Sequence, residues 1–378
     1  MKKAVELNDV VTLAFDCLDK IDLTYSKCTM MAKLADALID IDNRKALDLL
    51  NKAQTSVEDI MVPQIASEVL ETIVKVYIKL NYYQAFEVTK KISDLTFASK
   101  AFARIAEVAC DKDESFCSYV VNRAIQTAGK IDFPLQKAIA YSTIAESIAR
   151  HLPKKAEELL RKALNEVEKI SEEFWEVNML VSIISAYKKL ANCDRNVAFN
   201  FIKQAESHLY AIKDTTRRLD LAISLSELLI ELDKYRAESF LMNALSDARQ
   251  IMDAYMRSEY ISRVAVVMAK LLPQRALNLV DEINDPIHKC QVLLSISASD
   301  SFLRLDAITR AINIAEHIAF PYYKSQIFSK IIEQLVKINK SKARELLAKN
   351  LEIAKSIENP VNKCNALISI IMLLKQLI

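Results

Sequence analysis

At 378 residues, 52% of them hydrophobic, the chain has ample apolar material for a core, and its formal charge of +2 gives no strong pull toward nucleic acid or an anionic membrane. Its one glycine is Gly129, where average usage of roughly 7% would supply about 26, so β-hairpin turns, phosphate-cradling loops and nucleophile elbows are largely excluded. The seven cysteines (Cys17, Cys28, Cys110, Cys117, Cys193, Cys290 and Cys364) are odd in number, form no C-x-x-C, and are read as reduced thiols of a cytoplasmic protein.

The first element, residues 3–21, aligns Leu7, Ala14 and Ile21 on one helical face and reads as the second helix of a hairpin that lacks its first. Met1-Lys2-Lys3 runs straight into this charged amphipathic segment, so no signal peptide is expected. Helical hairpins follow, and the unit is clearest over Ile131–Ile170. After Pro134, which suits a first helical turn, Ala138, Tyr141, Ala145, Ile148 and Leu152 advance by three and four along one face of a helix A. Pro153 ends that helix, and Ala156, Leu160, Ala163, Val167 and Ile170 form the stripe of a helix B.

Sliding this unit along the chain gives a column of ten isoleucines: Ile21, Ile60, Ile92, Ile131, Ile170, Ile212, Ile251, Ile283, Ile318 and Ile357. Their spacings are 39, 32, 39, 39, 42, 39, 32, 35 and 39, in the range of solenoid repeats. The step of 32 is shorter than 39 by seven residues, two helical turns, so the buried stripe keeps its phase. Pro63, Pro134, Pro286, Pro321 and Pro360 stand three residues after the isoleucine, and Pro153 and Pro273 mark the turn from A to B. Ala35, Ala106, Ala145 and Ala265 recur in helix A, and the pairs Ala46/Ala53, Ala156/Ala163, Ala198/Ala205 and Ala237/Ala244 recur in helix B. The last element, 361–378, is a helix A without its B. Its apolar run, Ala366–Leu374 interrupted by Ser369, falls short of the about 20 residues a membrane span needs.

The sequence therefore predicts an all-α solenoid of about twenty antiparallel helices. It is read as one elongated domain, 1–378, made of an N-terminal half-repeat (1–22), nine hairpins (23–360) and a C-terminal half-repeat (361–378). Each hairpin leans on its neighbours for stability.

The alanine pairs in helix B, with a proline shortly beyond, resemble the tetratricopeptide repeat, and the 39-residue step is close to that of HEAT-type repeats. The resemblance covers the whole chain and is to this group of α-solenoids. It implies a right-handed superhelix whose concave face grips a peptide, a helix or another protein.

Six residues after the isoleucine stands a base in seven of ten repeats: Lys27, Lys137, Arg218, Arg257, Lys289, Lys324 and Lys363. The start of helix A disfavours a cation, so each base needs a partner. Acids one or two residues after the isoleucine (Asp22, Asp94, Asp132, Glu172, Asp214, Asp253, Asp285 and Glu358) are the expected partners, and several should also cap helix A, Asp285 before Pro286 most clearly. The competing reading makes Lys137, Arg218, Arg257, Lys289, Lys324 and Lys363 a partner-binding stripe for an acidic peptide or a nucleic-acid backbone.

Cys28, Cys290 and Cys364 share a column with small residues and are read as packing. The histidines His151, His208, His288 and His317 form no metal-binding pattern, and no P-loop or G-x-S-x-G occurs, so no catalytic, cofactor or metal site is expected. Tyr82-Tyr83 and Tyr322-Tyr323 are read as packing before interface anchors. The last helix is apolar on nearly all sides, and Ile368, Ile371, Met372 and Leu374 are candidates for self-association, with residues 3–21 of a second copy as the suggested seat. The functional expectation is a non-catalytic scaffold for a protein or peptide partner, with no membrane contact; a nucleic-acid-binding solenoid is the alternative.

Overall fold

A computed structural model describes residues 5–170 and 211–377 continuously, and between them residues 175, 178–179, 182–183, 185–186, 189, 202–203, 205–207 and 209. Glu172, Cys193, Ala198 and His208 lie outside the described residues. The chain is an all-α helical-repeat solenoid, with no strand among the described residues and no helix among them long and apolar enough to cross a membrane.

The A and B helices alternate as Thr24–Leu38 with Asn43–Ser56, Pro63–Leu80 with Tyr82–Thr89, Leu95–Ala109 with Glu114–Gly129, and Pro134–Ile148 with Pro153–Val167. Beyond residue 210 come Thr215–Leu232, Lys234–Arg249, Ala254–Met268, Pro273–Leu279, Pro286–Ser299, Arg304–Glu316, Pro321–Val336, Lys340–Lys355 and Pro360–Leu377. The prolines occupy first turns, where no N–H is missed. Most other B helices start on a polar cap: Asp42, Asn81, Asp113, Asp233 and Asn339 each accept a backbone N–H two or three residues on.

Two compact parts divide the chain, residues 23–228 and residues 229–378 together with 1–22. In the first, the A helices Thr24–Leu38, Pro63–Leu80, Leu95–Ala109 and Pro134–Ile148 pack on one another in succession, each carrying its own B helix. In the second, Ala254–Met268, Pro286–Ser299, Pro321–Val336 and Pro360–Leu377 do the same. The described alanines of both columns are buried, which lets neighbouring helix backbones approach closely. Seven of the ten marker isoleucines are buried, and Ile60, Ile170 and Ile251 are half-buried.

The two short repeats lose their seven residues from helix B. Tyr82–Thr89 has 8 residues and Pro273–Leu279 has 7, against 12 to 16 in the other described B helices. The shortened helix brings the next turn onto a buried serine of its own helix A. Ser67 Oγ accepts the Asp94 N–H at 3.1 Å, and Ser258 Oγ accepts that of Asn284 at 2.8 Å. In two longer repeats the same column holds Ser99 and Ser325, whose buried hydroxyls have no partner.

The half-repeats at the two chain ends meet. Helix Leu7–Leu18, with Val10, Val11, Ala14, Cys17 and Leu18 buried, packs on Pro360–Leu377 as the B helix that the last A helix lacked. The Cys17 thiol donates to the Pro360 carbonyl at 3.2 Å, and Cys364 Sγ lies 4.0 Å from the Ala14 carbonyl oxygen. Ile368, Ile371 and Leu374 are buried within the chain and Met372 stays partly exposed, so the apolar last helix already has cover without a second copy.

The reading of all cysteines as reduced thiols is corrected at one place: Cys110 and Cys117 form a disulfide across an A-to-B turn. Cys110 ends one helix, Cys117 lies in the first turns of the next, and the reversal between them brings the two side chains together. Cys17, Cys28, Cys290 and Cys364 are free and buried, and burial raises the Cys28 thiol to about 11 and the Cys290 thiol to about 12. Three of these four fill the small-residue column as packing.

Candidate interaction surface at the turns from helix B to helix A

Each B helix ends near the marker isoleucine, and the next A helix begins three residues later, so the turn is short and its side chains are fixed by the two helix ends. Among the described residues, the residue two after the isoleucine is the N-cap of helix A. Asp94, Asp214, Asp253 and Asp285 at this position accept helix N–H groups, the Asp285 carboxylate taking those of Ile287 and His288 at 2.9 Å each. The acids one residue earlier, such as Asp132, are not at the cap: Phe133 is, and it makes no cap bond.

The recurring bases are half-buried beside these turns. Arg218 Nη1 donates to the Ile212 carbonyl at 3.1 Å, Arg257 Nη1 to those of Ile251 at 2.9 Å and Met252 at 3.3 Å, and Lys324 Nζ to that of Glu316 at 2.5 Å. These carbonyls lie at or just beyond the end of the preceding B helix, the negative end of its dipole. The bases were expected to pair with acids. At Arg257 and Lys324 the partner is instead the main chain, and Arg218 bonds the main chain as well, so a base that sits badly on its own helix start sits well on its neighbour's end. Lys137, Lys289 and Lys363 occupy the same half-buried place in their repeats.

The feature that sequence reasoning missed lies at the caps. Leu23, Val62, Phe133 and Phe320 stand where an Asp caps in other repeats, make no cap bond, and are 66%, 49%, 70% and 69% exposed. Their backbone would accept an aspartate. Phe133 has φ −79° and ψ 121°, and Asp94 has −74° and 120°. Nor does the following proline demand an apolar residue, since Asp285 caps helix A directly before Pro286. Each such turn forgoes a cap worth about 1 kcal/mol and leaves a large apolar side chain in water.

The same turns hold Tyr25, Met61, Leu95, Trp175, Met252, Tyr255 and Tyr323, and Met61 and Met252 are each 96% exposed. Eleven of the nineteen exposed large hydrophobic residues among those described fall one to five places after a marker isoleucine. That concentration is too strong for scattered surface apolars. Beside Phe320 a cavity of about 420 Å³ opens against the turn of the following repeat, lined by Pro321, Tyr322, Tyr323, Ile357 and Glu358.

The tyrosine pairs divide between packing and exposure. Tyr322 Oη accepts from Gln326 at 2.7 Å and Asn365 at 3.1 Å, and Tyr83 Oη donates to Asp113 at 2.7 Å while its ring lies 4.6 Å from that of Phe116. Tyr83 and Tyr323 remain about half exposed. Among the described residues no group of three or more His, Cys, Asp or Glu side chains is placed to hold a metal.

No family model matches this sequence, and no curated protein matches it. Several solved structures are similar to it in fold. One, Ton1535 from Thermococcus onnurineus NA1, is 20% identical over 88% of this chain and 98% of its own, with a TM-score of 0.35. BtubC (BKLC) from P. vanneervenii is 15% identical over 55% of this chain and 92% of its own, TM-score 0.38. A circular tandem repeat protein with novel repeat topology and enhanced subunit contact surfaces is 11% identical over 98% of both chains, TM-score 0.28. Scores this low carry no conclusion about activity or partner.

Proposed function

We propose that the chain is a non-catalytic scaffold that holds a protein or peptide partner against its apolar turns from helix B to helix A. The observation that carries this is the set of forgone caps at Leu23, Val62, Phe133 and Phe320. A residue that lowers stability twice over, by omitting a hydrogen bond and by meeting water with an apolar face, is accounted for by a partner that covers it. The cavity beside Phe320 has room for apolar side chains of that partner, and Glu358 at its edge favours a base next to them.

The repeat chemistry, small residues recurring in helix B at a 39-residue step, supports a place in the tetratricopeptide and HEAT group. A cytoplasmic location goes with the four buried free thiols, and the reducing pool of that compartment would act on Cys110–Cys117. The nucleic-acid alternative would draw on the same bases, of which Arg218, Arg257 and Lys324 also serve main-chain carbonyls.

The test separates binding from folding. In a chain carrying Leu23→Asp, Val62→Asp and Phe133→Asp, the three new caps should raise the melting temperature, each by about 1 kcal/mol of stability. A partner that co-purifies with the wild-type chain from its source lysate should be lost. Equal capture by both chains would sink the proposal.

A further inference from the structure

We propose that the first helix, Leu7–Leu18, is an exchangeable plug, and that its seat on Pro360–Leu377 is also the seat taken by the first helix of a second copy in a helix-swapped homo-oligomer. The two halves of this hairpin come from opposite ends of the chain: Ala14 and Cys364, in contact across the seam, are 350 residues apart. In the other described repeats a short turn ties helix B to its helix A. Here no such tie exists, and the plug is joined at its other end to Thr24–Leu38 instead.

The plug depends on its packing against the last helix. A 12-residue helix is marginal in water by itself, so it stays folded through its packing. The polar contacts that cross this seam at Cys17 and Cys364 are thiol–carbonyl contacts, with weak donors. A pocket of about 200 Å³, partly open to solvent, lies beside the seam, lined by Leu13, Asp16, Cys17, Pro360, Lys363 and Leu367.

The occupant follows from the pattern already seated there. The last helix takes an amphipathic helix that presents Val10, Val11, Ala14, Cys17 and Leu18, and a second copy carries that helix. When the plug lifts, apolar surface of the last helix meets water and the nearest matching cover wins. The tethered plug wins at low concentration because tethering gives it an effective concentration in about the millimolar range. Near that concentration the second copy competes, and each plug then bridges two chains.

The experiment uses the intact chain. It is concentrated toward the millimolar range, warmed to just below its melting transition, diluted, and sized by chromatography with light scattering. A dimer or larger species that survives dilution with unchanged helicity is the expected result. A chain with Leu13→Cys and Leu367→Cys, bolted by oxidation while monomeric, should give none until it is reduced. The proposal is overturned by a chain that stays monomeric throughout, or by a bolted chain that associates as readily as the unbolted one. Pulsed alkylation of the wild-type protein read by peptide mass supplies a second check. Cys17 and Cys364 should react at least tenfold faster than the buried Cys28 and Cys290, since they are freed by lifting the plug, and equal rates at all four would overturn it.

Discussion

One hydroxyl column behaves in two ways along this chain, and the difference is set by what lies one repeat away. Ser67 and Ser258 receive the backbone N–H groups of the next turn, while Ser99 and Ser325 are buried and unpartnered. Ser67→Ala or Ser258→Ala removes the acceptor of a part-buried N–H and should cost about 0.5–1.5 kcal/mol. Ser99→Ala or Ser325→Ala removes an unsatisfied group and should be neutral or stabilising. Thermal melts of the four single variants check this, and a uniform loss across all four would contradict it. The column was visible in the sequence as small residues. Its division was not, because it depends on how far the next turn has been drawn in.

A second residue-scale effect concerns pH. The Asp113 carboxylate caps helix Glu114–Gly129 by accepting the Phe116 N–H, then the Tyr83 and Ser115 hydroxyls, and these bonds hold it at about 2. The folded value lies below the ordinary carboxylate value of about 3.9, so the contribution is complete above that pH and is lost as pH falls toward 2. Hydrogen-exchange protection of this helix should drop across that window. In Asp113→Asn, which has no charge to lose, it should stay flat.

At the scale of the element, the bases show how much of a helix junction a sequence can reveal. Their spacing and the problem of a cation at a helix start were legible from residue numbers alone. The partner was not, since a main-chain carbonyl leaves no mark in a sequence and the nearby acids drew attention instead. Arg257→Met should lower stability by about 1.5–3 kcal/mol, the range for hydrogen bonds to a charged group, and Arg257→Lys should recover part of it. A loss that high salt abolishes would favour an exposed acid as the partner. The apolar caps stayed hidden for a related reason. Phe133 and Phe320 looked like residues preceding a proline, and their cost emerges once the backbone at Asp94 is seen to match theirs.

For the whole molecule, the repeat architecture was readable because its signal is redundant: ten isoleucines, seven prolines and two alanine columns report the same period. The meeting of the two end helices could be anticipated in chemistry but not in address. The last helix and residues 3–21 read as complementary halves, and within one chain they already meet. The disulfide escaped because its seven-residue separation looks unremarkable until the chain is known to reverse between Cys110 and Cys117.

The shortened B helices carry a lesson about how such a chain can change length. An apolar stripe that repeats every two turns tolerates removal of whole heptads, and both short repeats are short by one heptad. Insertions and deletions in this architecture are therefore graduated, with a hydroxyl on the adjoining helix acting as the latch that takes up the slack. The steps of 42 and 35 differ from 39 by three and four residues, about one helical turn each, so a lineage or a designer trimming the array would work in whole turns.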